Sequence, residues 1–172
     1  AKVHGPISVL VNNAANDQRH ETLKTDETFW DWSINVNLRS YFFACQSVIP
    51  GMQAAGGGSI INFSSISYMM ADKGYAAYIT ANAGIVGLTR TLAREFGPDR
   101  VRVNAVAPGW VLTDRQKEHW VTPEALAAHL ARQCLPDPIQ PDDMAGIVLF
   151  LASDASRMMT SQTLILDGGY IS

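Results

Sequence analysis

The sequence lacks clustered positive charge. Its 13 Lys and Arg stand against 16 Asp and Glu for a net charge of −3, and without a basic run there is no footprint for a nucleic-acid backbone or an anionic membrane surface. Cysteine is scarce. Cys45 and Cys134 are far apart and belong to no CxxC or Cys/His spacing, which excludes a metal finger or redox pair and predicts two buried free thiols in a reducing compartment. His20 has no second His or Cys at ligand spacing, so no metal site is predicted. Long hydrophobic runs are missing as well: the longest, around Ile147 to Ala152, falls far short of the ~20 residues that span a bilayer. No signal-peptide pattern opens the chain, and these absences together predict a cytoplasmic protein. Nor does any G-x-G-x-x-G or G-x-x-x-G-x-G lie between a strand and a helix. The three glycines Gly56 to Gly58 precede a strand instead of opening a helix, and read as plain loop.

What is present suits one soluble domain over 1–172. The 172 residues are 47% hydrophobic and 17% charged, enough for a real core. Ile7 to Val11 is an apolar run ending abruptly in Asn12-Asn13, the pattern of a central parallel strand with polar groups at its carboxyl end. From Thr25 to about Gln53 an acid-capped, apolar-periodic stretch predicts one long helix or two joined near Asn35 to Asn37. Ile60 to Phe63 is a second strand, and a helix begins near Tyr75. Val101 to Val106 is a third strand, closed by Pro108-Gly109. Trp110 to Trp120 is polar and without clear period, and with the Thr122-Pro123-Glu124 helix start it resembles a mobile cover over a substrate. A last helix runs from Gln140 to about Ala152, and Thr163 to Leu166 closes the chain before Asp167-Gly168-Gly169. Strands alternating with helices predict an α/β fold of Rossmann type, a parallel sheet covered on both faces.

Chemistry concentrates between Ile60 and Gly87. Ser65 lies at a strand end facing Tyr78 near the start of the next helix, and Asn82 lies one turn beyond Tyr78 on the same face. A phenol with an ordinary pKa near 10, beside a serine hydroxyl, can hold a substrate oxygen and exchange its proton; two satisfied structural side chains would look the same. Asn37, polar in a buried stretch, admits a plain structural role too, its amide bonded to backbone.

The ordered motifs VNNAA at Val11 to Ala15, NVN at Asn35 to Asn37, the serine pair thirteen residues before Tyr78, AGIVGLTRTLA, RVNAVAPGWVLT at Arg102 to Thr113 and the terminal LDGG resemble the short-chain dehydrogenase/reductase family over essentially the whole chain. The resemblance implies NAD or NADP as cofactor and hydride transfer between the nicotinamide and a carbinol or carbonyl carbon. It matches Ser65 to the residue orienting the substrate oxygen, Tyr78 to the general acid/base, and Asn37 to the asparagine that holds a proton-relay water through its helix backbone. Asn13 and Ala14, with Pro108, Gly109, Val111 and Thr113, match positions that line the cofactor, joined there by Tyr78 and Asn82. The family also implies a homo-oligomer, dimer or tetramer.

Two departures stand out. The family pattern four residues after Tyr78 is lysine, whose ammonium lowers the tyrosine pKa and grips the nicotinamide ribose; here the residue is Asn82, so reduced activity at neutral pH is expected unless a cation such as Lys73 or Arg90 approaches. The family's glycine turn would lie upstream of Ala1, so the chain is expected to correspond to roughly the last two thirds of the fold, with Ile7 to Val11 left as an apolar edge. Within the family, AANDQRH at Ala14 to His20, RSYFFACQSVIPGM, AAGGGSIIN, and RQKEHWVTPEALAAHLARQCL at Arg115 to Leu135 resemble bacterial sugar 1-dehydrogenases of the xylose type. That implies oxidation of the anomeric hydroxyl of an aldose to a lactone, with Asn16, Asp17, Arg19 and His20 facing sugar hydroxyls and Trp110 or Trp120 stacking on the ring. A reductase of another carbonyl or acyl substrate, or a catalytically inactive oligomer partner, would share the same core.

Overall fold

The computed structural model describes residues 5–171. Four parallel strands stand in the order β1-β2-β3-β4: β1 (Val9–Asn12), β2 (Gly58–Phe63), β3 (Val101–Pro108) and β4 (Thr163–Leu166). Leu10 pairs with Ile60, Ile60 with Val103, and Val106 with Leu164. Because successive side chains point to opposite faces, the sequence Ile60-Ile61 serves two cores at once. Ile60 packs with Val101 and Val103 against Cys45, Ile49 and Met52 of α2 (Ser40–Ala54) and Leu92 of α4 (Ala76–Phe96). Ile61 and Val106 pack on the other face against Leu151 of α7 (Pro141–Ala152). This is the α/β sheet, covered on both faces, that the strand–helix alternation predicts.

The expected helix from Thr25 to Gln53 is two. α1 (Glu27–Ile34) starts where Asp26 accepts the Phe29 N–H at 2.8 Å, and a π-helical turn at Asn35–Arg39 joins it to α2. Such turns widen the helix by one residue and recur at functional sites. Asn37 sits in this turn, its side chain bonded both to Ser33 one turn back and to Asn16 outside the helix.

Several expectations are corrected. The first strand covers Val9–Asn12, not Ile7 to Val11, and it is an edge among the described residues, with Val11 41% exposed. The stretch Trp110 to Trp120, expected without clear period, is partly helical, with Thr113 capping α5 (Asp114–His119) through the Gln116 N–H, whereas α6 (Pro123–Leu130) starts where expected, capped by Thr122. α5 shows no apolar period because its side chains are committed to polar contacts with the Asn16–Asp17 loop. Cys45 is buried, and burial pushes its thiol up to about 11; it is an inert core residue. Cys134 is exposed, contrary to expectation, because the chain leaves α6 before reaching it.

Candidate active site

The carboxyl ends of parallel strands collect unpaired backbone and side-chain groups, and here they open onto a cavity of about 510 Å³. β2 delivers the serines. Ser64 turns inward, its hydroxyl donating to the Asn82 carbonyl at 2.9 Å, while Ser65 lines the cavity with its Oγ accepting the Ser67 N–H of α3 (Ser67–Met70). Across from it, the first turn of α4 presents Tyr78 to the same cavity. Burial raises the Tyr78 pKa above its ordinary value. The neighbouring hydroxyl of Ser65, the amide of Asn82 and the charge of Arg19 oppose the rise, and Asp17 adds to it. The cation that acts on the phenol is therefore Arg19, not Lys73 or Arg90; Lys73 is exposed, and Arg90 lines a separate surface hollow with Arg94 and Glu95.

Asn82 is buried, and its amide nitrogen donates to the Tyr78 carbonyl one turn back at 2.9 Å. Asn37 is 1% exposed and acts as a clasp: its Oδ1 accepts the Asn16 N–H at 2.7 Å, and its Nδ2 donates to the carbonyls of Asn16 at 3.0 Å and Ser33 at 2.9 Å. One amide thereby ties the loop after β1 to the bend between α1 and α2.

That loop holds the residues expected to meet substrate, and the fold divides them. Asp17 and Arg19 line the cavity. Asp17 pairs with Arg115 at 3.2 Å and accepts from Gln116 at 3.1 Å, and Gln116 in turn accepts the Trp110 indole N–H at 2.8 Å. Arg19 lies 3.6 Å from the Tyr75 ring centroid and 5.3 Å from that of Trp120. Asn16 and His20 stand outside the cavity wall. Asn16 Oδ1 accepts from the Gln18 N–H and from Arg115, and His20 Nε2 meets the Ala77 N–H at 3.3 Å. Both brace the loop and α4, because those backbone donors at a turn and a helix start need partners. Asn13 and Ala14 are exposed at the end of β1 and also stand outside the cavity wall.

From β3 come Gly109, Trp110, Val111 and Thr113, all in the cavity wall. Pro108 ends the strand, its carbonyl accepting the Ile66 N–H at 3.1 Å. Gly109 is required by close approach: a Cβ there would sit 2.9 Å from the Asp167 backbone.

The wall also includes Trp120, one of the two aromatics expected to stack on the ring, and Tyr75, Gln116, His129 and Tyr170, which motif reading passes over. They come from four separate stretches of chain, so no local period joins them. The available signal was compositional: aromatic and amide residues crowd the otherwise polar segment from Trp110 to Gln133, and a tyrosine directly follows the final glycine pair.

A family model described as enoyl-(acyl carrier protein) reductase matches residues 1–171. The chain belongs to the short-chain dehydrogenase/reductase family. It is 52% identical over 165 residues to a probable galactose dehydrogenase of Rhizobium meliloti, covering 96% of this chain and 64% of that protein. It is 49% identical over 166 residues to a D-xylose 1-dehydrogenase of Caulobacter vibrioides, covering 96% of this chain and 66% of that one. Among solved structures, a putative 2-deoxy-D-gluconate 3-dehydrogenase of Agrobacterium tumefaciens with bound NADP superposes with a TM-score of 0.90 at 30% identity, covering 95% of this chain and 67% of the other. The chain thus spans just under two thirds of the length of the two curated relatives.

The residues present fit the nicotinamide end of a dinucleotide. The Thr113 hydroxyl oxygen accepts the Gln116 N–H and so keeps its own proton to donate, Val111 stands beside it in the cavity wall, and Asn82 lies behind Tyr78. The sequence offers no glycine-rich turn for the pyrophosphate.

Proposed function

We propose that this chain carries the chemical half of an NAD(P)-dependent oxidoreductase that oxidises the anomeric hydroxyl of an aldose to a lactone. The observation that carries the reading is the convergence of Ser65 and Tyr78 on one cavity whose wall also carries aromatic rings and the polar side chains of Asp17, Arg19 and Gln116, supported by the sugar-dehydrogenase names of its relatives. Thr113, Val111 and Asn82 would hold the nicotinamide and its ribose, with Asn13, Ala14, Pro108 and Gly109 shaping the approach. When bound, the nicotinamide supplies the hydride acceptor.

The residues of the chain handle the proton and the geometry. Ser65 hydrogen-bonds the anomeric oxygen and fixes its distance to Tyr78. The Tyr78 phenolate takes the hydroxyl proton at its oxygen, leaving electron density to form the carbonyl. Arg19, Asn82 and Ser65 stabilise that phenolate, and burial works against it. A lysine ammonium would supply a full charge where Asn82 supplies only an amide dipole, so phenolate is scarce at neutral pH and turnover there is slow. Asp17, held by Arg115 and Gln116, keeps α5 and Trp110 over the cavity and excludes water.

The protein is further proposed to act in the cytoplasm as a homo-oligomer: α2 exposes Phe42 and Phe43, and the far side of the sheet exposes Leu149, Phe150 and Ile165. Among the described residues no helix is long and apolar enough to cross a membrane. The deciding experiment is a substrate panel with NAD and NADP, setting D-galactose and D-xylose against 3-oxoacyl thioesters. Aldose turnover with lactone release supports the reading; turnover of thioesters alone replaces it with a carbonyl reductase, and Tyr78-independent silence with every substrate replaces it with an inactive oligomer partner.

A further inference from the structure

We propose that His129 and Tyr170 form the wall of the cavity that recognises the sugar ring, a specificity-determining pair to which motif reading gives no role. The inference rests on the aldose reading above and names the residues that would enforce it.

Tyr170 is a fixed group. Its two neighbours are tied to one carboxylate, Asp167, which accepts the Gly169 N–H at 2.8 Å and the Ile171 N–H at 2.9 Å. The turn before it is locked to the exit of α6, where the Gly168 carbonyl accepts the N–H groups of Cys134 at 2.9 Å and Leu135 at 3.0 Å. Gly169 adopts φ +80°, and a Cβ there would lie 2.7 Å from the Cys134 sulfur; only glycine lets the two segments close this far.

So held, the Tyr170 ring stacks on His129 with centroids 4.3 Å apart and planes 15° from parallel, and the Arg132 guanidinium lies 4.2 Å from the same ring. His129 meets Trp110 edge to face at 5.2 Å. Three rings in series line the cavity that holds Ser65 and Tyr78, one contact stacked and one edge to face.

The polar end of this rail is unsatisfied. His129 Nε2 in the last turn of α6 and Gln133 Oε1 four residues on, beyond the end of that helix, are shut from solvent without a protein partner. Burial lowers the His129 pKa, with Gln133 pulling the other way, so the imidazole is neutral at neutral pH and offers one donor and one acceptor. A pyranose has an apolar C–H face that suits the rail, and a rim of hydroxyls that would pair with the neutral imidazole once a shift of the side chain uncovers Nε2. An acyl chain would use the rings and leave the imidazole unpaired, at a cost.

The test is steady-state kinetics of the protein and three variants with D-xylose and D-galactose, with thermal melting as a check on folding. Tyr170→Ala and His129→Phe should each raise the aldose KM by roughly tenfold, with kcat and the dinucleotide KM changed less than about twofold, the signature of lost substrate binding. Tyr170→Phe keeps the ring and should raise the aldose KM by less than Tyr170→Ala does. The inference is overturned if the parent oxidises aldoses and Tyr170→Ala and His129→Phe leave the aldose KM unchanged, or lower kcat and raise both KM values alike. A parent that reduces acyl thioesters and ignores aldoses overturns the aldose reading and this inference together.

Discussion

The side-chain nitrogen of Asn82 donates to the carbonyl oxygen of Tyr78 at 2.9 Å. A residue four positions on in a helix is well placed to return its side chain to that carbonyl, and a short amide does so where a long ammonium would extend past it. The donor that should confront the phenol is thus partly spent on its own helix. Charge is what the position lacks, and the cation that favours the Tyr78 phenolate is Arg19, from the loop after β1.

Asn82→Lys should therefore raise aldose oxidation at pH 7 by about ten- to a thousandfold, since an opposite charge at ~4 to 6 Å shifts a pKa by about 1 to 3 units. Initial rates at saturating aldose and dinucleotide measure it. Equal rates in parent and variant would show that Asn82 is not the limiting departure.

The pH profile follows from the direction of the Tyr78 shift. Its pKa is raised, chiefly by burial, and the base is the deprotonated form, so log kcat/KM should climb with a slope near 1 as pH rises from neutral and show no plateau before the ordinary phenol range near 10. Tyr78→Phe should abolish that limb along with activity. A profile flat above neutral pH would assign the base elsewhere.

Asn37→Ala removes the two hydrogen bonds that clasp the Asn16 loop to the π-helical turn, and the one to the Ser33 carbonyl, stranding buried backbone groups. Denaturant unfolding should show a loss of about 1–3 kcal/mol. Hydrogen exchange at the Asn16 amide should quicken, and the aldose KM should rise because Asp17 and Arg19 sit on the freed loop.

Tyr41 is 2% exposed, and its hydroxyl has no partner. Tyr41→Phe removes a desolvated group without removing the ring and should stabilise the fold by about 1–3 kcal/mol at pH 7. Burial, with Tyr78 adding to it, also holds the Tyr41 phenol above its ordinary pKa. The stability it contributes is complete below the unfolded value near 10 and lost as pH rises beyond it. The parent should consequently lose stability in alkali faster than Tyr41→Phe, as thermal melts from pH 8 to 11 will show.

Much of the sheet was legible in the chain because a parallel strand buried on both faces must be apolar at every position. Ile60-Ile61 satisfies that rule visibly, whereas Val101 to Val106 sets Arg102 and Asn104 between its apolar residues, bonded to the Ser156 hydroxyl and the Met159 carbonyl; the endings Asn62 to Ser65 and Pro108-Gly109 mark the mouth of the site. Ser65 and Tyr78 were legible for the same reason: one strand end and the next helix start are neighbours by topology. The first strand was misplaced by two residues because, at an edge, apolar content no longer reports burial. Trp110 to Trp120 was read as irregular because α5 has no core to face; its helix is held by Thr113 and by Asp17, a residue almost a hundred positions away.

The sequence by itself determined the alternating α/β layout and the serine–tyrosine pair, since both depend on neighbours along the chain and on the periodicity of burial. It also determined the absence of charge at Asn82. Only the tertiary structure decided that Arg19 is the cation facing Tyr78, that Asn16 and His20 brace the loop instead of the cavity, and that Trp110, His129 and Tyr170 meet as one wall. Those relationships depend on distances between segments whose separation along the chain carries no information about their separation in space.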